Sequence, residues 1–554
     1  MKIDIKRTGG YSAGCVAVMA AVFLLASAAV GQVSVTTWHN DVARDGMNTH
    51  ETVLNTTNVN SSQFGKICSA TVDGQIYAQP LVVTHVTING HAYPSVTYVV
   101  TQNDSVYAFD SNSAGPTCTQ LLFTNLLQTG EYPVNCTYFG GEKCGTVNPV
   151  IGILGTPVID PTNNVIYLVA QSQIGSGQPT SYIHRVHALN ISTFAEMFNG
   201  PVEVSGTFQN ATFTSSNHIQ RPGLLLEPGS PSKVYIAYSK IDGSASDPSG
   251  WIFRYDGENL NATPTVFATA PNGSGAGIWQ DGAGLAMGVD SAGGRSYLFF
   301  GTADGTFDAA SGGPDYGDSF VKLTTDLSTV EGYFTPFTQA CMFTNDEDYG
   351  SGGVVLIPAG LVPSYPYIAV SGDKEGTIYV VDRGDPGGYG GSLDCLGVDS
   401  NVQTITGLPQ IHNTPAYWNG SLFFAPTQPG PLSRYTISAS CSPGPICTTP
   451  LEAKVNFPGG VTPSVSVNGS TVSSAILWTI WGDRYTVGGP AAILYAFKPG
   501  TMAEIYGSNE CGTADVPGPA VKFSVPTIAN GKVMIGTQTD FDIYGELASS
   551  RTCQ

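Results

Sequence analysis

A strand-rich phrase recurs along this chain, and no other feature restricts its possible folds as strongly. Around Pro80 the sequence reads QPLVV followed by VTYVVTQNDSVYAFD, and around Pro157 it reads TPVID followed by NVIYLVAQ and RVHALN. Further copies begin near Arg221, Gly284, Gly352, Thr414, Thr462 and Val525, which makes eight. Each is roughly 45 to 75 residues long and holds short runs of valine, isoleucine, tyrosine and phenylalanine, separated by Asn-Gly, Asp-Gly or glycine-rich turns. Such a unit cannot bury both faces of its own sheet. Radial stacking buries them against neighbours and leaves only short edges, so the repeat predicts an all-β, eight-bladed β-propeller. A barrel requires even spacing without long insertions, and immunoglobulin-like sandwiches require periods of ~100 residues.

Composition agrees. Charged residues are 12% of the 554, with 67 Gly and 36 Pro, which disfavours long helices. Aromatic residues at 10% supply apolar surface that a disordered chain lacks. The last copy, from Val525 to Gly545, is too short for four strands, so the N-terminal segment near Trp38 is expected to pair into the last blade and close the ring.

Residues 1–31 read as a secretory signal peptide, with Lys2, Lys6 and Arg7 ahead of an apolar run from Val16 to Ala26 and small residues beyond it. That run is shorter than the ~20 residues of a membrane span. Residues 32–554 show no linker and are expected to form one domain, secreted or periplasmic, with no membrane span once the leader is removed. The leader holds three basic residues and one acidic one, so its removal takes the net charge from −20 to about −22 and makes nucleic acid a poor partner. Ten cysteines remain, which suits disulfides in an oxidising compartment. The short loops favour Cys136 with Cys144 and Cys441 with Cys447; Cys68, Cys118, Cys341, Cys395, Cys511 and Cys553 cannot be paired from sequence. No CxxCH is present for covalent haem.

Four stretches resemble the pyrroloquinoline quinone (PQQ) propellers, the eight-bladed quinoprotein alcohol dehydrogenases. They are the opening TTWHNDVARDGMNTHETVLNTTNVNSSQFGKICSATV, the phrase VTYVVTQNDSVYAFD, the stretch GIWQDGAGLAMGVDSAGGRSYLFFGTADGTFDAASGGPDYGDSF, and KEGTIYVVDR. The resemblance implies that Trp279 lies flat against the quinone. It makes Asp318 the general base that takes the alcohol proton, and it places Asp304 as a calcium ligand in a position where the family has asparagine. Lys374 is implied to approach the quinone oxygens.

The chain also departs from that pattern. Tyr77 stands where the family has a cofactor-contacting glutamate, residues 170–181 contain no carboxylate to serve as the second-blade calcium ligand, and no two cysteines are adjacent. The acidic run from Asn345 to Asp348 lacks the EF-hand order of ligands and reads as a solvated loop. Two functions follow. One is an exported oxidoreductase acting on an alcohol or sugar through PQQ and calcium; the other is a non-catalytic propeller whose surface binds a protein or glycan.

Overall fold

The computed structural model describes residues 31–137, 147–240, 250–427, 430–482 and 486–553. Its blades are antiparallel strand meanders that follow the chain in order, eight in all, with short parallel additions at Met47–Asn48 on blade 7 and Gly388–Tyr389 on blade 4. The innermost strands are Leu81–Ile88, Val158–Asp160, Leu225–Glu227, Ala286–Val289, Val355–Leu356, Ala416–Trp418, Ser464–Ser466 and Thr527–Ala529, for blades 1 to 8. Each blade begins at one of the eight repeats.

The turns explain why the chain doubles back where it does. Asn89–Gly90, Asn419–Gly420 and Asn530–Gly531 join the first two strands of blades 1, 6 and 8, and both residues of each pair have positive φ, between 46° and 79°. Asparagine and glycine tolerate that backbone, and its twist matches the strands it joins. The strands between such turns bury both faces: Tyr167, Val169 and Val186 of blade 2 pack on Ile236, Tyr238 and Trp251 of blade 3. An equivalent apolar cluster fills each remaining junction, including that of blade 8 with blade 1, where Met534 and Phe541 meet Val82, Val99 and Tyr107. The core is therefore a closed ring of interfaces.

The ring is closed by N-terminal residues, but not by those near Trp38. The outer strand of blade 8 is Phe64–Thr71, antiparallel to Asp540–Glu546. Residues 35–48 instead run across the inner strands as a belt. Backbone hydrogen bonds join Val35 to Val82 in both directions at 2.8 Å. The carbonyl of Thr36 accepts from Ile159, that of Val42 from Met287, that of Ala43 from Leu356, that of Asp45 from Tyr417 and that of Gly46 from Val465. These reach blades 1, 2, 4, 5, 6 and 7. Arg44 donates from Nη2 to the Leu224 carbonyl at blade 3 (3.3 Å), and Asn48 from Nδ2 to the Ile528 carbonyl at blade 8 (2.8 Å). The backbone bonds meet each of these inner strands at its second residue. The belt forms no strand of blade 8 because its backbone carbonyls and side chains go to all eight blades in turn, and its one short ladder, Met47–Asn48, runs parallel to Val465–Ser466 of blade 7.

Among the described residues the disulfides are Cys68–Cys118, Cys341–Cys395, Cys441–Cys447 and Cys511–Cys553. The expected Cys441–Cys447 pair forms; Cys144 lies outside the described residues. The one α-helix among them, Gln339–Asn345, follows the outer strand of blade 4. No helix of the described residues is long and apolar enough to cross a membrane.

Candidate functional site

In a meander of this kind, the segment entering an inner strand and the turn leaving the second strand lie at the same end of the ring. Trp279 precedes the inner strand of blade 4, and Asp348 that of blade 5. Asp304 leaves the second strand of blade 4, Asp318 enters its third, and Lys374 leaves the second strand of blade 5. All five therefore sit on the face that the belt underlies. The belt forms its floor, where Trp38 packs with Ala283 and Val525.

Asp304, Asp318 and Asp348 form a cluster in which one oxygen from each lies within 4.8 Å of the others. The Asp304 backbone N–H points at Oδ1 of Asp348 (3.4 Å), and the Asp348 carboxylate is paired with the Lys374 ammonium. Lys374 also reaches Asp346 Oδ1, at 2.8 Å. Asp318 is fully buried; its Oδ1 accepts from the Tyr349 N–H (3.3 Å) and its Oδ2 from Gln339 Nε2 (3.5 Å). Gln339, in the first turn of the helix, also donates to the Gly305 carbonyl, so the helix is pinned to the cluster from below its N-terminus.

The electrostatics follow from three acids and one base out of water. Burial, then hydrogen bonding to and the charge of Asp348, pushes the Asp304 carboxyl up to about 8. Burial, then the charges of Asp348 and Asp304, raises Asp318 well above the usual carboxylate range. Burial also opposes ionisation of Asp348, but the Lys374 charge outweighs it and holds that carboxyl low. Lys374 is raised in turn, because its carboxylate neighbours overcome its own desolvation. Asp304 Oδ1 is buried without a hydrogen-bond partner. An acid cluster with an unsatisfied inward oxygen suits a hard divalent cation, which takes oxygen ligands and removes the repulsion.

Trp279 is half-buried on the neighbouring turn and packs with Tyr77, Val134, Ile219 and Val521. Its indole N–H donates to Asp281 Oδ1. Gln280 and Asp281 both have φ of 48° and Gly282 has 98°, three successive left-handed residues that fold this turn tightly. A side chain at Gly282 would place Cβ 2.2 Å from Arg221 Nη1. Gln280 Oε1 accepts from the Gly301 N–H at 2.9 Å, tying the turn to the strand that leads to Asp304.

The carboxylates Asp304 and Asp318 thus meet each other directly, Lys374 joins them through Asp348, and Trp279 stands on the adjoining turn. The solvated-loop reading of Asn345–Asp348 is corrected: Asn345 and Asp346 are exposed, but Asp348 is 8% exposed, drawn inward by Lys374. Gln339 and Arg221 carry no role in the sequence reading, and Asp348 enters it only as part of that acidic run. The repeat held a usable signal, since Asp348 and Arg221 both occupy the approach to an inner strand, as Trp279 does.

No protein-family model matches the chain, and no curated protein matches it in sequence. Solved structures do. A quinohemoprotein alcohol dehydrogenase of Pseudomonas putida HK5 is similar with a TM-score of 0.55 at 12% identity, over 94% of this chain and 81% of that one. The quinohemoprotein alcohol dehydrogenase of Comamonas testosteroni is similar with a TM-score of 0.56 at 13% identity, over 94% and 82%. The eight-bladed fold is that of these quinoprotein alcohol dehydrogenases.

Proposed function

We propose that this is an exported oxidoreductase of quinoprotein type, which oxidises an alcohol or sugar hydroxyl at the belt-floored mouth of the propeller. The observation that carries the reading is the Asp304–Asp318–Asp348 cluster, Asp318 and Asp348 buried and Asp304 half-buried, with Lys374 at its edge. The donor set fits a calcium ion, each aspartate offering one oxygen, and Asp348 supplies a carboxylate that residues 170–181 lack. The surroundings also fit PQQ: Trp279 offers a half-buried aromatic face, and Lys374 offers positive charge. Bound there, the quinone would accept the two electrons and two protons that an alcohol gives up in becoming a carbonyl compound. Asp318 is the proposed acceptor of the hydroxyl proton, in the form a bound cation would keep ionised against the burial and the neighbouring acids that raise it. Lys374 holds charge against the developing oxyanion. The four disulfides among the described residues accord with an oxidising compartment, and residues 1–31 are proposed as the export leader.

Absorbance titration of the mature protein with PQQ, with and without calcium, tests this. Saturable, calcium-dependent binding is expected, and its absence at micromolar concentrations would refute the reading. A second reading, a scaffold that binds a protein through its surface, is favoured by one observation. The loop held by Cys341–Cys395 exposes Leu393 (92%), Leu396 (70%) and Val398 (74%).

A further inference from the structure

Around Trp279 the charge changes sign. The chain as a whole has 42 acidic residues against 22 basic ones, yet three basic side chains gather about the apolar cluster that holds this tryptophan. Arg221, 2% exposed, stacks over the Tyr77 ring at 5.6 Å and donates from Nη1 to the Leu154 carbonyl at 3.3 Å. Its Nη2 is buried with no hydrogen-bond partner. Lys522 follows Val521 of the same cluster; its ammonium lies 4.7 Å from the centre of the Phe523 ring, and it meets no carboxylate among the described residues. His412 lies parallel to Phe523 at 6.3 Å.

One carboxylate faces two of these groups. Asp281 Oδ2 is 3.2 Å from His412 Nδ1, at ion-pair distance although the ring N–H is out of line for a hydrogen bond, and its charge also acts on Arg221. Its other oxygen is taken by the Trp279 indole. Arg221, Lys522 and the His412 imidazole thus share this apolar cluster with a single carboxylate. A buried guanidinium with an unfilled donor, in a chain this acidic, calls for a second anion.

We propose that Lys522 and His412, backed by the buried charge of Arg221, form a carboxylate-binding subsite. A ligand held there would present its carboxylate to Lys522 and His412 and its flat or apolar part to Trp279. The carboxylate belongs either to a hydroxy-acid substrate or to the quinone; only in assigning it to one of these does the inference rest on the proposed oxidoreductase reading.

The test uses the mature protein and two sugar-derived probes that differ in charge, D-gluconate and D-glucose, with binding read by calorimetry. Gluconate is expected to bind about tenfold or more tighter than glucose. Lys522→Gln and His412→Asn should erase that preference, while Lys522→Arg should keep most of it; thermal unfolding identifies any variant that fails to fold. A parallel absorbance titration with PQQ and calcium separates the two sources. Loss of PQQ affinity in Lys522→Gln assigns the carboxylate to the quinone, and loss of gluconate affinity alone assigns it to the substrate. If PQQ does not bind the wild type but Lys522→Gln still loses gluconate, the oxidoreductase reading fails and the subsite stands. Equal binding of gluconate and glucose, with no change in either ligand or in PQQ on substitution, overturns the subsite.

Discussion

Asp304 and Asp348 face each other where blades 4 and 5 meet, the backbone N–H of the first directed at the carboxylate of the second, and Lys374 pairs with Asp348 while Asp304 Oδ1 stays buried without a partner. One acid of the pair is neutralised and the other is left for an exogenous charge.

Calcium should therefore stabilise the folded protein. At a calcium concentration a hundredfold above its dissociation constant the gain is about 2.7 kcal/mol, and a chelator should reverse it. Asp348→Asn should abolish most of the effect by removing a ligand charge and releasing Lys374. Scanning calorimetry with calcium and with chelator checks this, and an identical midpoint in both would count against a cation at the cluster.

If PQQ binds, Trp279→Ala should weaken it by about 1 to 3 kcal/mol through lost aromatic contact. Asp318→Asn should retain PQQ and lose turnover, because an amide cannot take the proton. Equilibrium titration beside steady-state rates separates the two. Turnover that survives in Asp318→Asn would move the base elsewhere.

Arg44 is fully buried and donates to Thr37 Oγ1 and to the carbonyls of Trp38, Asp41, Leu224 and Leu285, between 2.8 and 3.3 Å. Arg44→Met should leave these acceptors unsatisfied and destabilise the protein by about 3 to 5 kcal/mol. Lysine, a point charge without the planar fork, should recover only part of the loss. Denaturant unfolding measures both.

Asp45 supplies a pH signature in the belt. Burial, then the charge of Asp41, pushes its carboxyl up to about 8, far above the ordinary value of 3.8. Between those limits the folded protein binds a proton that the unfolded chain does not, so this group's contribution to stability falls as pH rises from about 4 to about 8. Asp45→Asn keeps the oxygen that accepts from the Met47 N–H at 2.9 Å and removes the titration. Its midpoint should fall less than that of the wild type between pH 5 and pH 8. Parallel pH dependence in the two proteins would show that Asp45 stays ionised.

Much of the ring was legible in the sequence, because each blade is a local object: Asn419–Gly420 or Asn530–Gly531 turns the chain within a few residues, and the apolar runs beside them alternate as strands do. Asp304, Asp318 and Lys374 were legible only through resemblance. Asp348 was not, since a run of acids and glycines looks alike whether it faces water or a lysine about thirty residues downstream. The belt was hidden for a related reason. Its partners, from Val82 to Ile528, are spread over almost the whole chain, and backbone carbonyls leave no mark on side-chain pattern.

That belt sets an order of assembly. Val33 exchanges hydrogen bonds with Asn530, 497 positions away, and Phe64–Thr71 completes a sheet whose other strands are among the last the ribosome delivers. A nascent chain can build blades 1 to 7 as it emerges and seat most of residues 35–46 on them, but Val33 and the strand Phe64–Thr71 must wait for the eighth blade. Closure is thus the last and most non-local step, and such steps are slow. Until it happens, the edge of Phe64–Thr71 that will pair with Asp540–Glu546 stays open to water, and a chain truncated anywhere before Val525 would carry an outer strand with no sheet to complete.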